Sequence, residues 1–396
     1  MEELVLKIKS SAARNFGSVL QYRRHLHQYP ELSFQEINTS NYIFHVLNEH
    51  KIPSRKIGET GVVGIIKGAK PGKSIALRAD IDALPIEEKN KVEYRSKNPG
   101  IMHACGHDVH SASLLGTALI LKELENEIGG EIKLIFQPGE EKLPGGASIL
   151  IKEGVLKNPS VQHILGQHVH PPLEIGKIGV KPGPFMASAD EIYITVEGKG
   201  GHGALPHECI DPVLIASHLI VSLQQLISRS CNPLVPSVLT IGKIHSDGGA
   251  TNIIPEKVFM QGTFRTMDEP WRKEAHLKMQ HLAENMAIAM GGSCDIEIRK
   301  GYPSLYNNEE LTLEIKGYMQ DFMGIENVVD LPIRMTAEDF AYYSQEVPAC
   351  FYRLGTGNPL KGITSPVHTP TFDIDEKALE IGSGLMAFLA IKSAVK

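Results

Sequence analysis

Ser74-Ile75-Ala76-Leu77-Arg78-Ala79 runs into Asp80 and Asp82, and Glu131-Ile132-Lys133-Leu134-Ile135-Phe136 runs into Gln137-Pro138-Gly139-Glu140-Glu141. Both are short apolar runs bounded by turn residues, the mark of buried strands, and both end on carboxylates. Between them stand His103-Ala104-Cys105-Gly106-His107-Asp108-Val109-His110 and a helical pattern from about Ser111 to Glu127. A helix from about Gly146 to Glu153 and a strand Val161 to Gly166, ending at Gln167-His168, repeat the arrangement. Strands alternating with helices predict an α/β fold with a mostly parallel sheet flanked by helices. In such sheets sites gather past the carboxyl ends of strands, where Asp80, Glu140, Glu141 and His168 fall.

Working outward, residues 2 to 28 read as a helix with apolar positions at Leu4, Ile8, Ala12, Phe16 and Leu20 and a basic end. A second helix is expected over Phe34 to His50, and a strand over Val62 to Ile66, with Lys70-Pro71-Gly72 as the turn before the next strand. From about Met186 the texture changes. Glu191 to Glu197 alternates, and strands near 237–243, 258–266 and 294–299 with helices near 211–230 and 269–290 complete a β-α-β-β-α-β order. That is a ferredoxin-like α+β unit, whose neighbouring termini allow insertion as a whole. The expected division is therefore 1–185 plus 302–396 for one domain and 186–301 for the inserted one. Helices over Glu310 to Met323 and Glu376 to Ala394, with a strand over Ala349 to Gly355, return to the first domain.

A chain of 396 residues exceeds what one core supports, which agrees with two domains. A net charge of −6 without a dense Lys/Arg stripe argues against nucleic acid as a partner. Acidic residues follow Met1, and no apolar run approaches the roughly 18 residues of a membrane span. Five scattered cysteines do not form a disulfide framework, so a cytoplasmic protein is expected, with no membrane partner.

A thiol and imidazoles within a few residues suit a borderline-soft divalent ion, and the Cys105, His107 spacing suits a loop-to-helix junction. Taken singly, each is as readily a buried thiol or a satisfied histidine. Together, Cys105, His107, Glu141, His168 and His368 are able to converge on a pair of ions, a bridging thiolate letting five side chains serve two. Glu140, adjacent to Glu141 on a strand-end loop, has the place of a general base. Asp80 and Asp82 are candidates to orient imidazoles, or else to cap a turn.

Leu77 to Pro85, Met102 to Asp108, Gln137 to Glu141 and His368-Thr369-Pro370 resemble the amidohydrolase branch of the zinc carboxypeptidase/aminoacylase clan. That branch includes hippurate hydrolase, N-acetyl-diaminopimelate deacetylase and the plant indole-acetyl-amino-acid hydrolases. The likeness runs from about residue 20 to the C-terminus. It implies two divalent ions per subunit (Mn or Zn, with Ni or Co as alternatives), bridged by Cys105, with His107 and His168 on one and Glu141 and His368 on the other. It implies Glu140 as general base, Asp80 as a catalytic-site carboxylate, His202 on the tetrahedral oxyanion, and Asn252 and Arg265 on the substrate carboxylate. A guanidinium fork independently suits a carboxylate. The inserted domain would be a lid and the contact of a homodimer or tetramer. Arg78 stands where most of the clan carries a ligand histidine. The expected activity is hydrolysis of N-acyl amino acids by metal-activated water. A di- or tripeptidase or carboxypeptidase, a non-catalytic binding protein, and a Cys105 nucleophile are the alternatives.

Overall fold

Eight strands make the sheet of one of the two units into which the computed structural model divides; it describes residues 1–395. They are β1 (Ser54–Ile57), β2 (Gly61–Lys67), β3 (Lys70–Asp80), β4 (Gly129–Gln137), β5 (His163–Glu174), β6 (Ile178–Val180), β7 (Val328–Asp330) and β8 (Ala349–Gly357), ordered β1-β2-β4-β3-β5-β8-β6-β7. The central strands β4, β3, β5 and β8 are mutually parallel, and antiparallel pairs lie toward the flanks. This is the mostly parallel α/β sheet expected from the alternation. Parallel central strands must be apolar on both faces, and β8 is buried at every position.

The helices α1 (Glu2–Gln28), α2 (Ile37–Glu49), α3 (His107–Glu123), α4 (Glu309–Met323) and α5 (Ala378–Ala394) accompany the sheet. In α1, Ile8, Ala12, Val19 and Leu26 form the buried stripe, while Glu2 and Glu3 at one end and His25 and His27 at the other suit the helix dipole. Helix α3 is buried on all sides from His107 to Leu121, because α1 and α5 both pack on it and it lies against β3.

Three local expectations shift. Lys70-Pro71-Gly72 is not a turn but the start of β3, where a register irregularity between Lys70 and Ser74 accommodates a proline that cannot donate to the ladder. Helix α3 begins at His107, four residues earlier than its apolar pattern. Strand β5 does not stop at His168. Its pairing with β3 ends at Arg78 with Gly166, but β8 continues as its partner, so His168 lies within a strand, two residues past the last β3 pair.

The other unit comprises Pro184–Leu305 and the short segment Ile333–Glu338. Strands Asp190–Glu197, Ser237–Ser246, Lys257–Thr266 and Ser293–Lys300 alternate with helices Pro212–Gln225 and Glu269–Ala289 in the β-α-β-β-α-β order. All neighbours in its four-stranded sheet are antiparallel. Ile192, Ile194 and Val196 point to a core shared with Leu219, Leu223 and Met279. Asp211 and Asp268 cap the two helices by accepting from Val213 N and Trp271 N, at 2.8 and 2.7 Å. Arg334 is tied to this unit by backbone bonds with Phe185 and Ala187.

Candidate metal centre

The junction before α3 places the first two donors. Gly106 has φ +82, and a Cβ there would lie 2.6 Å from Val169 Cγ2, so glycine alone fits both the backbone and the space. This turn leaves Cys105 just outside the helix and makes His107 its first residue. His107 Nδ1 lies 2.8 Å from the Asp82 carbonyl and 3.1 Å from Asp82 Oδ1, both acceptors. Nδ1 therefore carries the proton, and the lone pair is on Nε2. His168 Nδ1 likewise donates to the Val169 carbonyl at 2.8 Å, which turns Nε2 to within 3.6 Å of Cys105 Sγ.

The second pair comes from two loops. Asp82 Oδ2 accepts from Ser33 Oγ at 2.6 Å and from Glu141 N at 2.9 Å, so the carboxylate that orients His107 also anchors the loop carrying Glu141. Upstream, Gly139 (φ +59) donates its N–H to buried Glu36 at 2.8 Å, and a Cβ there would lie 2.2 Å from the Phe34 ring. His368, half exposed and at φ +62, is pinned by its N–H to the Ala104 carbonyl at 2.7 Å.

Two donor triads result, each with its ligand atoms within 4.8 Å of one another: Cys105, His107, His168 and Cys105, Glu141, His368. Cys105 belongs to both. His107 Nε2 is buried without a hydrogen-bond partner, an arrangement that is costly unless a cation takes it up. His368 Nε2 lies 3.1 Å from Glu141 Oε1. Cys105 and Glu141 together push the His368 imidazole up to about 10, the sign of a site rich in negative charge. Burial, then Glu141, raises the Cys105 thiol. Thiolate, imidazole and carboxylate in open three-donor sets fit a pair of divalent ions of the catalytic kind.

Glu140 is buried beside this centre, with Oε1 accepting from Asp339 N at 3.4 Å and Oε2 4.0 Å from His107 Nε2. Asp339 accepts from Arg78 Nη2 at 2.6 Å, from Gln137 Nε2 at 2.8 Å and from Ala147 N at 3.0 Å. Asp339, in a stretch whose sequence pattern carries no metal or catalytic signal, fixes the neighbourhood of Glu140. Asp80 receives Arg78 Nη1 at 2.6 Å and His110 Nδ1 at 2.5 Å, while its Oδ2 is 3.7 Å from His107 Nε2. Burial alone would raise Asp80, but Arg78, then His107 and His110, hold it well below the usual carboxylate range. His110 Nε2 accepts from Val169 N at 2.9 Å, so both its nitrogens are engaged and neither is left for an ion. Burial pushes His103 down to about 4, and it belongs to neither triad.

The remaining candidates lie in the second unit. His202 is exposed, in a two-stranded ladder with Ile253, and its Nδ1 accepts from Ala204 N at 3.0 Å. Asn252 is exposed, its carbonyl accepting from Gly203 N at 2.7 Å. Arg265 is half-buried and donates to the Met335 carbonyl at 3.1 Å. Sequence reading missed the weight of Arg23 and His27, taken only as a basic helix end. Both are buried on Asp108, and two cations one turn apart before Tyr29-Pro30 were the available signal.

Residues 76–392 match the model of the peptidase family M20/M25/M40. The chain is 40% identical to thermostable carboxypeptidase 1 of Saccharolobus solfataricus over the full length of both. It is 44% identical to the N-acyl-L-amino acid amidohydrolase of Geobacillus stearothermophilus over 74% of this chain and 78% of that protein. Among solved structures it is similar to the Bacillus subtilis YXEP protein, described as a dinuclear metal binding peptidase, with a TM-score of 0.84 and 35% identity over 96% of this chain and 99% of the other.

Proposed function

The chain belongs to peptidase family M20/M25/M40, and from that membership and the shared thiolate we propose that it hydrolyses N-acyl amino acids to a carboxylic acid and a free amino acid. The observation that carries the reading is Cys105 standing in two open donor triads with Glu140 beside them. Cys105, His107 and His168 would hold one divalent ion and Cys105, Glu141 and His368 the other, with Mn or Zn the metals of choice and Ni or Co alternatives. Such a pair, when bound, polarises the scissile carbonyl and makes water acidic enough to attack at neutral pH.

Glu140 takes the proton from the attacking water as its oxygen bonds to the carbonyl carbon. The C–N bond then breaks with its electron pair on nitrogen, and Glu140 returns the proton to that nitrogen. Asp339 N–H holds the carboxylate in place through both steps. Asp80, ionised and bonded to Arg78 and His110, fixes the floor beside His107. For the second unit we assign His202 to the oxyanion, and Asn252 and Arg265 to the substrate carboxylate, where an imidazole and a guanidinium supply the matching donors.

Names of relatives support the substrate class, the amidohydrolase of Geobacillus stearothermophilus most directly. The likeness to a thermostable carboxypeptidase favours a second reading, release of a C-terminal residue from a blocked peptide. Five unpaired cysteines suit a cytoplasmic setting, and no helix among the described residues is long and apolar enough to cross a membrane. We assign homodimer contact to the inserted unit.

The test is Glu140→Gln on metal-reconstituted protein, assayed with N-acetyl, N-benzoyl and carboxypeptidase substrates. Activity should fall by about 10²- to 10⁴-fold with metal content unchanged. Activity near the parent level would sink the assignment, and a preference for peptides over N-acyl amino acids would favour the second reading.

A further inference from the structure

We propose that Arg23 is a positioning residue for both halves of the metal centre, one guanidinium holding the His107 turn and the His368 loop in fixed relation. The inference rests on the two-ion reading above. Arg23 comes from the last turns of α1 and is completely buried. Its Nε donates to Asp108 Oδ2 at 2.8 Å, its Nη2 to Asp373 Oδ1 at 2.9 Å and its Nη1 to Glu376 Oε1 at 3.3 Å. Asp108 directly follows His107. Asp373 lies five residues after His368, and Phe372 N donates to the Thr369 carbonyl at 3.1 Å, so the intervening chain is a closed turn rather than slack.

The surroundings make the fork rigid. The Tyr94 ring covers the guanidinium at 4.5 Å and its hydroxyl donates to Asp373 Oδ2 at 2.8 Å. His27, one turn on, adds Nδ1 to Asp108 Oδ2 at 2.8 Å and Nε2 to Glu88 Oε1 at 3.2 Å. Arg24 grips Glu376 with two nitrogens, at 2.9 and 2.7 Å. Buried ion pairs contribute little net stability, because desolvation offsets most of the attraction. What a planar fork supplies that an apolar side chain or a lysine cannot is a fixed angle and distance between two carboxylates. Here those carboxylates ride on the segments carrying one donor of each triad.

Metal-free full-length protein titrated with Co(II), followed by calorimetry for stoichiometry and by absorption for the ligand field, tests this. The parent should take up two ions. Asp373→Asn removes the charge that Arg23 faces; its amino group can be accepted only by a turned Tyr94 hydroxyl, because the guanidinium only donates, so the charge-assisted Arg23 bond becomes a weaker neutral one. It should weaken by about 10- to 100-fold only the ion that Glu141 and His368 hold, leaving the thiolate charge-transfer band of the other. Arg23→Lys should weaken both. Unchanged stoichiometry, affinity and spectrum in folded Asp373→Asn, with only a lower unfolding temperature, would overturn the proposal even if Arg23→Lys fails to fold. A parent that does not bind two ions would overturn the metal-centre reading itself.

Discussion

Replacing Asp82 by Asn probes how the centre is held, because one buried carboxylate orients a donor from each triad. Its Oδ1 takes the His107 Nδ1 proton at 3.1 Å, and its Oδ2 takes Ser33 Oγ at 2.6 Å and Glu141 N at 2.9 Å. The Ser33 hydroxyl can turn to accept, but Glu141 N and the protonated His107 Nδ1 only donate. Facing Oδ2 the amino group would strand Glu141 N, whereas facing Oδ1 it still leaves His107 one acceptor, so the amide adopts the second orientation. His107 then keeps only the Asp82 carbonyl at 2.8 Å. A lost hydrogen bond to a charged group costs about 1.5–3 kcal/mol. Groups that orient a ligand imidazole are worth about 10- to 100-fold in metal affinity, or about 1.4–2.7 kcal/mol, so the two magnitudes agree. Calorimetric titration of chelator-stripped protein with Mn(II) should show the ion shared by Cys105, His107 and His168 weakened by that factor, with far-UV circular dichroism unchanged. A parent-like Kd with a lowered unfolding midpoint would refute the reasoning, since Asp82 would then support the fold and not the donors.

Other outcomes follow from the same geometry. Gly106→Ala combines a left-handed residue, about 1–2 kcal/mol, with a methyl pressed on Val169, about 1–3 kcal/mol, and should lower the thermal midpoint and metal content together. In the second unit, Arg272→Met leaves Asp190 buried with His276 and the Gly301 N–H, and should destabilise by about 3–5 kcal/mol in urea unfolding. Burial alone would raise Asp190, but Arg272, then His276, hold it below the usual range. A depressed carboxylate contributes stability above its unfolded pKa and loses it as pH falls. The gap between parent and Asp190→Asn should therefore be full at pH 7 and shrink below about pH 4. Chelation should abolish hydrolysis and divalent metal restore it; activity that survives chelation would revive Cys105 as a nucleophile.

Apolar period and turn chemistry made much of this protein legible in its residues. The runs at 74–79 and 131–136 read as strands buried on both faces, as in a sheet covered by helices, and the carboxylates past their ends mark where a site is expected. Cys105, His107 and Glu141 were visible because metal-liking side chains cluster there in sequence. Local pattern gave no account of β5 running past His168, because a strand continues wherever a neighbour offers a ladder, and β8 lies almost two hundred residues away in the chain. Nor does any sequence separation say which carboxylate meets which imidazole. Asp80 and Asp82 were interchangeable as residues, and only the tertiary structure gave Asp82 to His107 and Glu141, and Asp80 to Arg78 and His110. The same holds for Arg23, a surface cation by its place near a helix end, whose burial depends on Asp108 and Asp373 arriving from 85 and 350 residues further along the chain. Side-chain type and period are local quantities, so sequence fixed the menu of donors. Pairing depends on distances closed by folding, so the structure assigned each donor its partner.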